Sequence, residues 1–248
     1  MALLEVKNLV KDFGGLRAND GISFQLAPGE LLGLIGPNGA GKTTLFNCIA
    51  GKHPVTSGQI VFDGEDITAL KAPEVARRGL ARTFQVYAAS GDLTVRENVM
   101  VGCFMRTPSR REAGEKADTI LADLNLTAAA DQYVSELPVA AQKKVTMATA
   151  LGTRPKLLLL DEVAAGLNPG EIEEIMASIR HIHHQLGVTV ILIEHVMELV
   201  MRTSDRLIVL DYGRKIAEGL TDDIARDPQV IKAYLGDRYV KEHGGKVG

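Results

Sequence analysis

The stretch Gly36-Pro37-Asn38-Gly39-Ala40-Gly41-Lys42-Thr43 constrains the fold of this chain more than any other. It fits the pattern G-x-x-x-x-G-K-[ST] and lies between two predicted elements. Before it runs Leu31-Leu32-Gly33-Leu34-Ile35, continuously apolar, as a strand buried on both faces must be. After it comes a helical stretch, Thr43–Gly51, closed by a glycine. A strand that enters a glycine-rich turn and leaves as a helix makes an anion cradle. Glycines let successive N–H groups turn inward, and the helix start adds its positive dipole end. Gly36, Pro37, Asn38, Gly39, Ala40, Gly41, Lys42, Thr43 and Thr44 are the residues expected to bind phosphate. In such a loop Lys42 reaches the β and γ phosphates of a nucleotide, and the Thr43 hydroxyl ligates Mg²⁺. Without its flanking strand and helix, the same stretch would read as an unliganded turn.

Two further apolar runs end in charged residues. Leu157–Leu160 ends at Asp161-Glu162, and Val188–Ile193 ends at Glu194-His195. Between them, Pro169–Leu186 has a helical pattern, so the unit is strand, helix, strand with a parallel crossover. Sheets of this α/β kind place ligands at the C-terminal ends of their strands. Asp161 is placed to hold Mg²⁺, directly or through water. Glu162 is placed to act as general base on an attacking water. An Asp-Glu pair alone would only cap a strand; the upstream phosphate loop gives it a catalytic meaning. His195 is placed to hydrogen-bond a γ phosphate, although a lone histidine there would read as structural. Gln85, in Arg82-Thr83-Phe84-Gln85, reads by itself as a surface glutamine. His181, His183 and His184 lack a carboxylate-rich second site and read as a solvated helix end, not a metal site.

The rest of the organisation follows from texture. Residues 3–35 alternate between short apolar runs and turns, and Leu4-Glu5-Val6 and Ile22–Leu26 have the period of half-buried strands. Residues 53–84 return to strands and turns, with Ile60-Val61-Phe62 before Asp63-Gly64. From 86 to 152, Ala, Glu, Arg and Leu at helical spacing dominate. A short strand, Leu207–Leu210, and a turn at Tyr212-Gly213 precede a C-terminal helical tail. The 248 residues suit one domain, with 1–85 and 153–248 as core and β subdomain and 86–152 as a helical subdomain.

Composition excludes several classes. With no Trp and 4% aromatics, the core must be built from Leu, Ile, Val and Ala. Net charge is −3 with both signs interspersed, so no basic face for nucleic acid is expected. Cys48 and Cys103 sit in apolar contexts without CxxC spacing and read as reduced, buried small hydrophobes. The N-terminus has no signal-peptide pattern, and no apolar run approaches the ~20 residues of a membrane helix. A role at a membrane would require a partner that spans it.

The order of these motifs resembles the ATP-binding domains of ATP-binding cassette (ABC) transporters, over almost the whole chain. Within that family it is most similar to the larger-type ATPase subunit of branched-chain amino acid importers. The supporting stretches are Phe13-Gly14-Gly15-Leu16, Ala81–Gln85, Ala164–Pro169 and Val230–Gly236. The resemblance implies an α/β fold of the P-loop NTPase type, with a RecA-like core, an antiparallel β subdomain and an inserted helical subdomain. It implies ATP and Mg²⁺ as ligands, with Gln85 touching both Mg²⁺ and the attacking water, and Phe13 stacking on adenine. Gly166–Pro169 would signal across a dimer, and residues after Gln85 would meet a coupling helix of a membrane-spanning permease. The place implied is peripheral, on the cytoplasmic face of the plasma membrane.

One family motif is broken. A Leu-Ser-Gly-Gly-Gln signature should precede the helix leading to Asp161, but the chain reads Leu137-Pro138-Val139-Ala140-Ala141-Gln142. Without gaps, Pro138 takes the serine place, Ala140 the second glycine and Ala141 the glutamine; a one-residue shift makes Gln142 the glutamine. Val163 and Val196 also replace the proline and acidic residue usual after the Glu and the His. In the family the signature contacts the γ phosphate on the other subunit. A heterodimer with a second ATPase subunit, one site strong and one weak, is therefore expected. Two other readings stand beside a transport ATPase: a weakly hydrolytic regulatory subunit, and a soluble ABC protein of repair or translation. Proteins of the latter kind carry a long coiled-coil insertion or tandem cassettes, and this single short cassette has neither.

Overall fold

A computed structural model of the chain describes residues 1–83 and 89–234. It opens with a hairpin of β1 (Leu4–Phe13) and β2 (Leu16–Leu26), turning at Gly14-Gly15. β3 (Leu31–Ile35) leads through the glycine-rich loop into α1 (Lys42–Ile49). Then come β4 (Ser57–Phe62), β5 (Glu65–Asp66), α2 (Ala72–Arg77) and β6 (Leu80–Arg82). Helices α3 (Val95–Cys103), α4 (Arg110–Asp123) and α5 (Val139–Gly152) follow. β7 (Leu157–Asp161), α6 (Pro169–Arg180), β8 (Thr189–Ile193) and α7 (Met197–Thr203) lead to a hairpin of β9 (Arg206–Asp211) and β10 (Arg214–Gly219). α8 (Thr221–Arg226) and helical residues 228–234 complete the described chain.

The strands form two sheets. One is antiparallel, in the order β2-β1-β4-β5; the other has six strands in the order β10-β9-β3-β8-β7-β6. In the second, β9, β3, β8, β7 and β6 are parallel, and β10 is an antiparallel edge. This is the expected P-loop α/β architecture with an antiparallel β sheet. Every residue of β3, β7 and β8 is buried, which their unbroken apolar runs require. Successive side chains serve opposite faces. Leu158, Leu160, Val190 and Leu192 pack in one core with α3, α4, α5 and α6. Leu157, Leu159, Ile191 and Ile193 pack in another with α1 and the antiparallel sheet.

Three elements depart from the sequence reading. α2 stands where only strands and turns were expected: six residues are too few for periodicity to show, and Pro73 and Glu74 set its first turn. β10 was hidden because its residues are half-exposed and mostly polar, as an edge strand permits. Its turn is legible, since Tyr212 and Gly213 both take left-handed φ of 43° and 78°, the requirement of a tight hairpin. The helix read through Leu186 becomes a π-helical turn at His181–Gln185. That turn is not a solvated end: His183 is buried, with Nε2 3.6 Å from Asp205. Both cysteines are free and buried, as expected, and burial pushes the Cys48 thiol up to about 11.

α3 and α5 cross in close contact at glycine. A Cβ on Gly102 would lie 2.0 Å from the Thr149 carbonyl oxygen, a backbone atom that cannot swing aside. Gly102→Ala should therefore lower stability by about 1–3 kcal/mol through overpacking. Gly114, inside α4, has open space where its Cβ would be, so Gly114→Ala should raise stability by up to about 1 kcal/mol. Urea unfolding of the two variants measures both, and the signs should be opposite.

Candidate functional site

The register of the parallel strands builds the site. Leu34 of β3 pairs with Ile193 of β8, and Ile193 pairs with Asp161 of β7. The three strands thus end level, and the segments beginning at Gly36, Glu162 and Glu194 leave the sheet side by side.

The loop after β3 depends on its glycines. Gly36, Gly39 and Gly41 have φ of 148°, 81° and 95°. A Cβ on Gly36 would lie 2.1 Å from the Leu210 carbonyl oxygen, and one on Gly41 would lie 2.4 Å from that of Ala18. The loop is therefore wedged between β9 and β2. α1 starts with no capping side chain and no acidic residue in its first turn, which leaves its orphan N–H groups for an outside anion. The buried Lys42 Nζ donates to the carbonyls of Gly36 at 2.7 Å and Pro37 at 2.9 Å. Burial pushes its pKa down, and the negative charges of Glu162 and Asp161 push it back up. The lysine and both carboxylates thus share one neighbourhood.

At the end of β7, Asp161 is 1% exposed, and burial pushes its carboxyl pKa up against the opposing Arg82 guanidinium. Its Oδ2 accepts from Arg82 at 2.6 Å. Its Oδ1 is buried without a hydrogen-bond partner among the described residues. An open, buried carboxylate oxygen beside a phosphate loop suits a hard divalent cation. Glu162 follows in a left-handed conformation, φ 51°, which is uncommon outside glycine and gathers at functional sites. Its N–H donates to the Ile193 carbonyl at 2.9 Å, and its Oε1 lies 2.9 Å from His195 Nε2. This pair can accept and hold a proton.

Sequence reasoning missed the residues that hold these groups in place. Glu194 is buried and accepts from the N–H groups of Ala164 at 2.7 Å and His195 at 3.3 Å. It spans the segments after β7 and β8. Lys143 of α5 donates to the carbonyls of Glu162 at 3.3 Å and Ala165 at 2.7 Å. Asn19, fully buried on β2, donates from Nδ2 to the Gly41 carbonyl at 3.1 Å. No motif marks Asn19. For Glu194, the signal was its place between a core strand and His195.

The other expected residues are less gathered. Phe13 ends β1 with 43% of its surface exposed, its ring 5.4 Å edge-on from His53 and 4.6 Å from Lys11 Nζ. Gln85 lies outside the described residues. At the broken signature, Pro138 is the N-cap of α5 with φ −57°, and no side chain caps the helix. The Gln142 amide donates to the Leu137 carbonyl at 2.8 Å. Asn19→Ala would remove the side-chain donor that the Gly41 carbonyl accepts beside the Leu45 N–H, at a cost of about 0.5–1.5 kcal/mol. The expected result is a lower unfolding temperature that ATP restores less fully than in the wild type, measured by thermal unfolding with and without nucleotide.

The ABC transporter family matches residues 19–165, and the branched-chain amino acid ATP-binding cassette transporter family matches residues 214–240. The high-affinity branched-chain amino acid transport ATP-binding protein BraF of Pseudomonas aeruginosa is 41% identical over 251 residues, covering 95% of this chain and 98% of that protein. LivG of Escherichia coli K12, described in the same words, is 40% identical over 250 residues, with coverage of 95% and 98%. Among solved structures, a nucleotide-free ATP-binding cassette from an ABC transporter aligns with a TM-score of 0.88 at 33% identity, covering 96% of this chain and 100% of that one. The chain therefore belongs to the ABC transporter family, as an ATP-binding cassette whose ATPase activity powers transport.

Proposed function

We propose that this chain is the ATP-binding and hydrolysing subunit of an importer of branched-chain or related amino acids, working through membrane-spanning permease subunits. The observation that carries the chemistry is the level ending of β3, β7 and β8, which groups Lys42 with Asp161, Glu162 and His195. The substrate class rests on full-length similarity to proteins named for branched-chain amino acid transport.

In this reading the loop Gly36–Thr43 and Thr44 cradle the phosphates, and Lys42 leaves its loop carbonyls for the β and γ phosphates. Phe13 stacks on adenine. Thr43, Asp161 and Gln85 would hold Mg²⁺, which would supply positive charge against the phosphates, and the unpartnered Asp161 Oδ1 supports this. Glu162 takes a proton from the attacking water, and His195, 2.9 Å away, orients it and steadies the γ phosphate.

A groove of about 550 Å³, lined by Ala72, Ala76, Val101, Met105, Thr149 and Ala150, opens beside β6. Small and apolar walls suit an amphipathic helix, which we take to be the permease coupling helix. Among the described residues no helix is long and apolar enough to cross a membrane. In this reading, on its likeness to transport ATP-binding proteins, the chain sits peripherally on the cytoplasmic face of the plasma membrane, held by its permease.

The α5 terminus favours a heterodimer. Pro138 has no N–H to offer, Ala140 puts a methyl where a glycine belongs, and the Gln142 amide is engaged within its own chain. A phosphate arriving from another subunit would lose one or two charge-assisted hydrogen bonds, roughly 1.5–3 kcal/mol each. The strong site thus pairs this chain's loop with a partner's intact signature, and the weak site pairs the partner's loop with Pro138–Gln142.

Two variants of the reconstituted transporter test this. Glu162→Gln should lower ATP turnover by about 100-fold or more. The same change at the matching glutamate of the partner ATPase should leave most turnover intact. Equal losses from the two would sink the asymmetry. Leucine, isoleucine and valine should each stimulate turnover; stimulation only by another solute class would overturn the substrate assignment.

A further inference from the structure

Arg82 plays no part in the reading above, yet it is the residue most tightly joined to Asp161. It closes β6, where it pairs with Leu159 of β7, two residues before Asp161. The two side chains are 7% and 0% exposed. One guanidinium nitrogen donates to Asp161 Oδ2 at 2.6 Å, and the other terminal nitrogen donates to Asn47 Oδ1. The guanidinium carbon lies 5.7 Å from the centre of the Phe46 ring. Asn47 and Phe46 both belong to α1, the helix that starts at Lys42. A single planar group thus ties β6, the end of β7 and the helix behind the phosphate loop.

A buried ion pair is weak evidence for stability, because desolvating two charges offsets most of their attraction. Geometry gives it a different value here. One nitrogen of the planar fork occupies Asp161 Oδ2 while the other is held by α1, and Oδ1 is left without a hydrogen-bond partner among the described residues. The fork also sets the distance between that oxygen and α1, which carries Thr43. We propose that Arg82 is a positioning residue for the metal carboxylate, aiming Asp161 Oδ1 so that the divalent cation accompanying ATP is held between β7 and α1. The proposal rests on the reading of Asp161 as a Mg²⁺ ligand. Repulsion between the guanidinium and a cation acts in the opposite direction, so the sign of the effect decides between orientation and charge.

The test measures ATP affinity of the full chain by calorimetry, once with Mg²⁺ and once with EDTA. The readout is the ratio of the two, which a merely structural role would not move. In the wild type Mg²⁺ should tighten binding; no tightening would bring down the metal reading itself, and this proposal with it. Arg82→Gln should leave Mg-free affinity within about 3-fold of wild type and shrink the Mg²⁺ enhancement by about 10-fold or more. Arg82→Lys keeps the charge but cannot reach both partners in the fork, so it should restore little of the enhancement. Asn47→Ala keeps the ion pair and the Phe46 contact and removes only the hydrogen bond to α1, so it should cut the enhancement by a smaller factor. It also serves if Arg82 variants fold poorly. With the wild-type enhancement intact, three outcomes would overturn the proposal while leaving the metal reading standing. These are an unchanged enhancement in Arg82→Gln, a larger one, or a parallel loss of affinity with and without Mg²⁺.

Discussion

The parallel hydrogen-bond register of β3, β8 and β7 is the constraint on which the rest depends. Leu34, Ile193 and Asp161 lie across from one another, so three segments leave the sheet at one level. Each strand must be continuously apolar to be buried on both faces, and each must turn polar as it emerges. The phosphate loop, the Asp161-Glu162 pair and Glu194-His195 are those three polar exits. A register slip would separate Lys42 from the carboxylates without changing a residue.

Such a site concentrates charges in a poorly solvated place, and each must have a partner. Lys42 rests on two loop carbonyls, Asp161 on Arg82, Glu194 on two backbone N–H groups, and Lys143 on two backbone carbonyls. The links of Asp161 to Arg82, of Glu194 to Ala164, and of Lys143 to Glu162 and Ala165 join different segments. The polar network is thus also the scaffold that holds α5 against the segment after β7. Asp161 Oδ1 has no hydrogen-bond partner among the described residues, and a site meant to take a cation has reason to keep one oxygen open.

Much of this was legible from the sequence because it is written in local patterns. The three apolar runs, the glycine spacing of the loop and the acidic strand end gave the sheet, and they gave Lys42, Asp161, Glu162 and His195 their places in it. What was not legible depends on long-range geometry. Asn19 sits in an ordinary alternating strand and matters only because β2 passes the end of the loop. Arg82 reads as one charge among many until β6 is seen beside β7. The left-handed Glu162 is a backbone state that no residue pattern announces. α2 and β10 were missed because one is too short and the other too polar for periodicity to reveal.

The two ends of this molecule are unequal. The Gly36–Thr43 loop and the strand-end carboxylates lie together, while α5 begins at Pro138 with no capping side chain and the Gln142 amide is spent on the Leu137 carbonyl. Under the proposed function such a chain binds and hydrolyses ATP yet does not close on a copy of itself. The most direct test is the solution mass of Glu162→Gln by light scattering, with and without Mg-ATP, since that change leaves binding intact while blocking hydrolysis. The mass should stay monomeric with saturating Mg-ATP. A doubled mass would show that Leu137–Gln142 still serves as a signature, and would contradict it.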